Sequence, residues 1–195
     1  MSGRKPLKKS KVTKPERSRG RGVLVFAAVF VIVLAVVGYV MSQPPRQAGS
    51  VGDIGSDFTL QVVAATGLSD ESVTLSSFRG KVVVLGFMVS WCGVCQEMAP
   101  SLEYLNQKYQ GQDVVFLSVA GTQRGATAES TAEFIKQYRS TWTYVLDADG
   151  SVFRAYGVEA TPTFLILDRT GVIVTRLQGA VATDAFSNAI DRALS

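Results

Sequence analysis

The sequence predicts an α/β domain built on a mixed β-sheet, preceded by one membrane-spanning helix. Three observations lead there. From about Asp53 onward, short apolar or β-branched runs alternate with segments of helical spacing, the pattern of a sheet covered by helices. Ahead of them lies "VLVFAAVFVIVLAVVGYVM" (Val23 to Met41), 19 residues without a charge. Residues 1–22 carry nine Lys/Arg against one acid, Glu16. By the positive-inside rule such a flank stays in the cytoplasm.

A chain of 195 residues with 47% hydrophobic residues has enough apolar material for one sizeable core. Its formal charge of +4 is a composite. The basic tail is net +8, so the remainder is net −4, and a mildly acidic domain is a poor candidate for binding nucleic acid. The expected organisation is a basic cytoplasmic tail (1–22), a transmembrane helix (23–41), a linker (42–52) and one folded domain (53–195). As a helix, the apolar run would span about 28 Å, close to the bilayer hydrocarbon thickness. A cleaved leader has a shorter apolar stretch, about 7–15 residues, and a small-x-small site. This run passes into "SQPPRQAGS" without such a site, so an uncleaved anchor in the cell membrane is expected. The rest of the chain then lies outside the cytoplasm. Pro44, Pro45, Gly49 and Gly52 mark 42–52 as linker.

Within the domain, "FTLQVVA" (Phe58–Ala64) and "SVTL" (Ser72–Leu75) flank a Gly-containing turn and predict a β-hairpin. "KVVVLGFMV" (Lys81–Val89) is unbroken in its apolar character, as for a central strand covered on both faces. From Cys92 to about Tyr109 the spacing of Met98, Leu102 and Leu105 is helical, with Pro100 expected to kink the helix. "DVVFLSVA" is the next strand. A helix capped by Thr127 follows, with Phe134, Ile135 and Tyr138 on one face. "TYVLD" and "TFLILD" are further strands, and "DRTG" (Asp168–Gly171) turns the chain into "VIVTRLQG". Thr183 is expected to cap a last helix with Phe186, Ala189, Ile190 and Ala193 inward.

The two cysteines of the chain, Cys92 and Cys95, stand where the buried strand gives way to a helix. A cysteine at a helix N-terminus meets unpaired backbone N–H groups and the positive end of the dipole, and both favour thiolate. Three positions further on is one helical turn, so Cys95 lies on nearly the same face and the pair can close a small disulfide. Cys92 would attack a partner disulfide and Cys95 would resolve the mixed disulfide. Trp91 supplies an apolar wall beside them. A structural zinc site needs four ligands, and two Cys with no His do not provide them, so no metal and no cofactor is expected. Two inert core cysteines remain the other reading of the spacing.

With these residues in view, "WCGVC" is similar to the active site of thioredoxins. The chain from about residue 52 to 195 resembles the membrane-anchored TlpA/ResA-type thiol–disulfide oxidoreductases. The likeness runs through "DFTL", "VTLSSFRGKVVVLGF", "SWCGVCQEMAPSLEYL" and "VFRAYGVEATPTFLILDRTGVIVTRLQG". It implies a thioredoxin-like fold in which the N-terminal hairpin decorates a core of mixed sheet and flanking helices. It places Thr161-Pro162 at the family's cis-proline, facing the cysteines. Trp91, Thr161 and Pro162 would then dock substrate, the Thr161 backbone pairing with an extended strand. The implied partners are protein disulfides or dithiols, apocytochrome c among them, and a membrane electron donor of the thiol-relay type, since one cysteine pair cannot regenerate itself.

Three positions depart from the family pattern. Gly86 stands where thioredoxins commonly place a buried acid. Met98 stands where TlpA/ResA-type sequences often have Glu, and neighbouring Glu97 is about 100° round the helix. Gly93-Val94 replaces the usual x-Pro between the cysteines. Glu97 and Glu159 are the candidate modulators, Glu159 lying either near the thiols or in solvent. A reductant is the favoured activity. A peroxiredoxin-like peroxide reductase is one alternative, although its Pro-x-x-x-Thr-x-x-Cys setting is absent. A membrane-tethered binding module with a structural disulfide is the other.

Overall fold

A computed structural model describes the backbone of residues 19–41 and all of residues 49–195. The chain divides into two compact units, 1–44 and 45–195. In the first, helix α1 runs from Arg19 to Met41, starting four residues before the apolar run. Its described side chains, residue 26 and residues 28–39, are all exposed, Phe26, Phe30 and Ile32 among them. Among the described residues no helix is long and apolar enough to cross a membrane. The expected tail up to residue 18 and the linker residues 42–48 lie outside the described residues.

The second unit is organised around one strand, β3 (Val82–Met88), whose seven residues are all buried. Side chains alternate across a strand. Val82, Val84 and Met88 therefore enter one core layer while Val83, Leu85 and Phe87 enter the other. Six more strands complete the sheet: β1 (Thr59–Ala64), β2 (Gly67–Thr74), β4 (Val114–Gly121), β5 (Thr143–Asp147), β6 (Thr163–Leu167) and β7 (Ile173–Gln178). Their order is β2-β1-β5-β4-β3-β6-β7. β3, β4 and β5 run parallel, whereas β6 is antiparallel to both β3 and β7, and β1 is antiparallel to both β2 and β5. It is a thioredoxin-like mixed sheet.

Helices α2 (Gly93–Lys108), α3 (Ala128–Tyr138) and α5 (Thr183–Leu194) contribute buried residues to the first core layer. On the other face Phe153, at the middle of the short helix α4 (Ser151–Ala155), and Tyr156 just beyond it close over Phe87. Their ring centroids are 5.2 and 5.3 Å from its own.

Local chemistry explains most boundaries. Thr127 caps α3 reciprocally: its hydroxyl accepts from Ser130 N–H while the Ser130 hydroxyl accepts from Thr127 N–H. Helix α2 passes through Pro100 without interruption. The expected cap at Thr183 is corrected. Ala182, in extended conformation, is the N-cap of α5, and its carbonyl already accepts from Ala185 and Phe186 N–H. Fully buried Phe186 fixes that phase, so Thr183 falls inside the first turn. The folded unit also starts earlier than Asp53. Arg176 donates to the carbonyls of Gly49, Tyr156 and Gly157 at 2.8, 3.1 and 2.9 Å. Gly49 is buried there, and a Cβ on it would overlap the Tyr156 carbonyl.

Asp147, at the end of β5, is a buried carboxyl at 0% exposure. Its Oδ2 accepts from Phe153 N–H at 2.9 Å, while Oδ1 has no hydrogen-bond partner among the described residues. Burial, offset in part by the Phe153 and Val152 N–H groups, raises its pKa above the ordinary carboxylate value. The folded chain therefore holds this proton more tightly than the unfolded chain. Its stabilising effect is complete below the unfolded pKa and is lost as pH rises through the folded one. Asp147→Asn keeps an acceptor for Phe153 N–H and removes the titration. Melting temperatures across pH 4 to 8 should fall less steeply for the variant, and parallel curves would refute the assignment.

Candidate active site

β3 ends at Met88, and a turn closed by Cys92 N–H on Val89 O (3.1 Å) reverses the chain into α2. Cys92 is the N-cap of that helix, with extended backbone at φ −74° and ψ 111°. Its Sγ accepts a hydrogen bond from Cys95 N–H at 3.1 Å, one of the donors that a helix start leaves without an intrahelical partner. Gln96 Nε2 donates to Ser90 O at 3.1 Å, and the Ser90 and Ser130 hydroxyls meet at 2.7 Å, tying the turn to the start of α3. Cys92 and Cys95 form a disulfide with Cα atoms 5.2 Å apart, the two ends of one helical turn.

The peptide bond between Thr161 and Pro162 is cis. Thr161 O lies 3.5 Å from Cys92 Sγ. The loop is pinned around it, because Pro162 O accepts from Gly179 N–H at 2.9 Å and the Thr163 hydroxyl donates to Ala160 O at 2.7 Å. Among the described residues the Thr161 N–H has no acceptor.

The two sulfurs have different surroundings. Cys92 lines a cleft of about 470 Å³ together with Trp91, Arg124, Val158, Glu159 and Thr161. Cys95 does not line that cleft. It lines a small cavity of about 10 Å³ inside the core, with Gly86, Ser118, Trp142 and Pro162. Both cysteines are buried, at 6% and 4% exposure, so what distinguishes them is which space each sulfur borders.

Trp91 is 46% exposed and is held from outside: its Nε1–H donates to Gln123 O at 3.0 Å, and the Arg124 guanidinium sits 5.5 Å from its ring centroid. Arg124 adopts left-handed backbone, φ 51° and ψ 38°. Glu159 is exposed but borders the cleft, while Glu97 is exposed and lies outside it. Met98 is buried, its sulfur 3.4 Å from Val181 N. At Gly86 a side chain would meet the Phe164 ring at 3.3 Å and Ser118 Oγ at 3.5 Å. In place of an acid, the polar group near Cys95 is therefore the Ser118 hydroxyl, which accepts from Trp142 Nε1–H at 2.8 Å. Among the described residues no group of three Cys, Asp or Glu is placed to hold a metal.

Gln123, Arg124, Ser118 and Trp142 were not legible as site residues. They sit in unremarkable local sequence and reach the cysteines through the sheet order.

Residues 50–192 match the family model described as Redoxin. The chain belongs to the Redoxin family. Among curated relatives it is 28% identical over 182 residues to the thiol-disulfide oxidoreductase ResA of Oceanobacillus iheyensis, covering 91% of this chain and 92% of the relative. Among solved structures, a Chlorobium tepidum protein named as a thiol:disulfide interchange protein DsbE superposes with a TM-score of 0.66. It is 29% identical and covers 75% of this chain and 99% of its own. A secreted Mycobacterium tuberculosis disulfide oxidoreductase homologous to E. coli DsbE gives 0.60 at 26% identity, covering 69% and 95%. This Redoxin-family protein is a thiol–disulfide oxidoreductase of ResA/DsbE type, and Cys92–Cys95 is its CxxC disulfide.

Ser118→Ala removes the acceptor of a buried indole N–H, which costs about 1–3 kcal/mol when left unpaired. Urea unfolding of the variant should show a loss of that size. An unchanged midpoint would mean that the Trp142–Ser118 bond carries no weight in the fold.

Proposed function

We propose that this protein is a membrane-anchored reductant of protein disulfides working outside the cytoplasm, with Cys92 as nucleophile and Cys95 as resolving thiol. The observation that carries the assignment is the separation of the sulfurs, Cys92 on the open cleft and Cys95 on the core cavity. A substrate sulfur can approach only the first. The Cys95 N–H directed at Cys92 Sγ, together with the helix dipole, stabilises negative charge on that sulfur.

In the reductive direction the Cys92 thiolate attacks one sulfur of a substrate disulfide. The other substrate sulfur leaves as a thiolate and takes a proton. The Cys95 thiol gives up its proton and attacks Cys92 Sγ, releasing the second substrate thiol and closing the Cys92–Cys95 disulfide. Two electrons pass to the substrate, and an external membrane dithiol must return them. Trp91 and the unpaired Thr161 N–H form the docking walls, the substrate strand adding to Thr161 beside cis-Pro162. Ser118 and water move the Cys95 proton, because Gly86 and Met98 provide no carboxylate there. Glu159, on the cleft, acts on bound substrate, and Glu97 has no part.

The anchor rests on the charge-free run Val23–Met41 and its basic flank, with the exposed apolar side chains of α1 as further support. Apocytochrome c cysteines, reduced before haem attachment, are the substrate that the ResA resemblance favours.

A Cys95→Ser variant of the full chain should accumulate a covalent adduct with its substrate through Cys92, identifiable by mass spectrometry after non-reducing electrophoresis. The additional change Cys92→Ser should abolish the adduct. Failure of the single variant to trap any protein from oxidised extracytoplasmic extract would sink the exchange mechanism. A C-terminal tag protected from protease in intact protoplasts would sink the orientation.

A further inference from the structure

Sheet order and two charged side chains carry an inference about what the cleft reads. The cleft mouth lies at the C-terminal end of β3. Its neighbours are β4, which runs parallel to it, and β6, which runs antiparallel. The loop leaving β4 and the loop entering β6 are therefore at the same end of the sheet, on either side of the Trp91–Cys92 turn. The first carries Arg124 and the second carries Glu159, and among the described residues they are the only charged ones lining the cleft. Neither is paired: the single ion pair among the described residues is Lys136–Glu133 on α3. Arg124 is also held in place. Its guanidinium stacks on Trp91, and the same loop accepts the Trp91 Nε1–H through Gln123 O.

We infer that the cleft takes an extended cysteine-bearing peptide segment that is electrically polar along its length. An acidic residue lies toward the Arg124 side of the reacting cysteine and a basic residue toward the Glu159 side. The remaining lining residues are uncharged, apolar or small ones such as Val158, Ala160 and Gly93 beside the neutral polar Gln123 and Thr161, so flanking charge is a feature it can discriminate. In an otherwise mildly acidic domain, a uniformly acidic segment meets Glu159, while a uniformly basic one meets Arg124. This proposal deepens the exchange reading above and rests on it.

The test uses the reduced full-length protein in neutral detergent. Its substrates are synthetic peptides with one cysteine capped as a mixed disulfide with 2-mercaptoethanol. Five peptides differ only in flanking residues: neutral, Glu on both sides, Lys on both sides, and Glu and Lys in each of the two orders. At low ionic strength one mixed order should react about two- to tenfold faster than the reversed order and than either peptide with like charges on both sides. About 1 M salt should erase the difference. Arg124→Glu together with Glu159→Lys should invert the preferred order. Because each readout is a ratio between peptides on the same preparation, loss of folded protein cannot imitate it.

Equal rates for all five peptides, or a preference untouched by the double charge reversal, would overturn this inference and leave the exchange mechanism standing. If the neutral peptide too fails to react with wild-type protein, the exchange reading itself fails.

Discussion

A sulfur atom occupies the capping position of α2, and much of the site's arrangement follows from that placement. N-caps are ordinarily oxygen-bearing residues, whose side chains satisfy a backbone donor that the helix leaves open. Here Cys92 Sγ receives the Cys95 N–H instead. The bond can form only if the chain turns sharply at the end of β3, which the Cys92–Val89 and Gln96–Ser90 hydrogen bonds enforce. It also brings Cys95 round one turn of helix to the same sulfur. Reactive pair and helix start are thus one structural object.

The same turn divides two environments. Outward, Cys92 meets a cleft whose walls come from the loops flanking β3. Inward, Cys95 faces packed aromatic and aliphatic groups, with the Ser118 hydroxyl where a carboxylate would be expected. Phe164 crowds the space above Gly86, so the missing acid is balanced by packing rather than by a replacement charge. The two cysteines are both buried and differ in the space each sulfur borders, Cys92 the cleft and Cys95 the core cavity.

Much of this frame could be read from residue order. The unbroken run from Lys81 to Val89 announced a strand covered on both faces, and β3 is buried along its whole length. Thr127 with Ser130 marked the start of α3 by local hydrogen bonding alone. Thr183 misled because cap preference is a local signal, whereas Phe186 packing set the phase of α5. The five-residue helix α4 is too short to show a period. The cis bond at Pro162 came from family likeness, since nothing in the adjoining residues announces it. Glu159 was a candidate from its place before Pro162, with the thiols and solvent both open to it, whereas Arg124 was beyond local reading: it becomes a neighbour of Cys92 only through the order of β4 and β3, a contact made across a long stretch of chain.

Arg176 has a quieter lesson. Its guanidinium grips three main-chain oxygens, at Gly49, Tyr156 and Gly157, and no carboxylate. Every residue type offers a carbonyl, so a clasp of this kind is indifferent to which side chains its partners bear, save at Gly49, where bulk is forbidden. Beyond buried Tyr156, residues 158–160 on the way to the cis-proline can therefore drift in composition, and with them the chemistry presented to clients, while the joint that steadies them stays fastened.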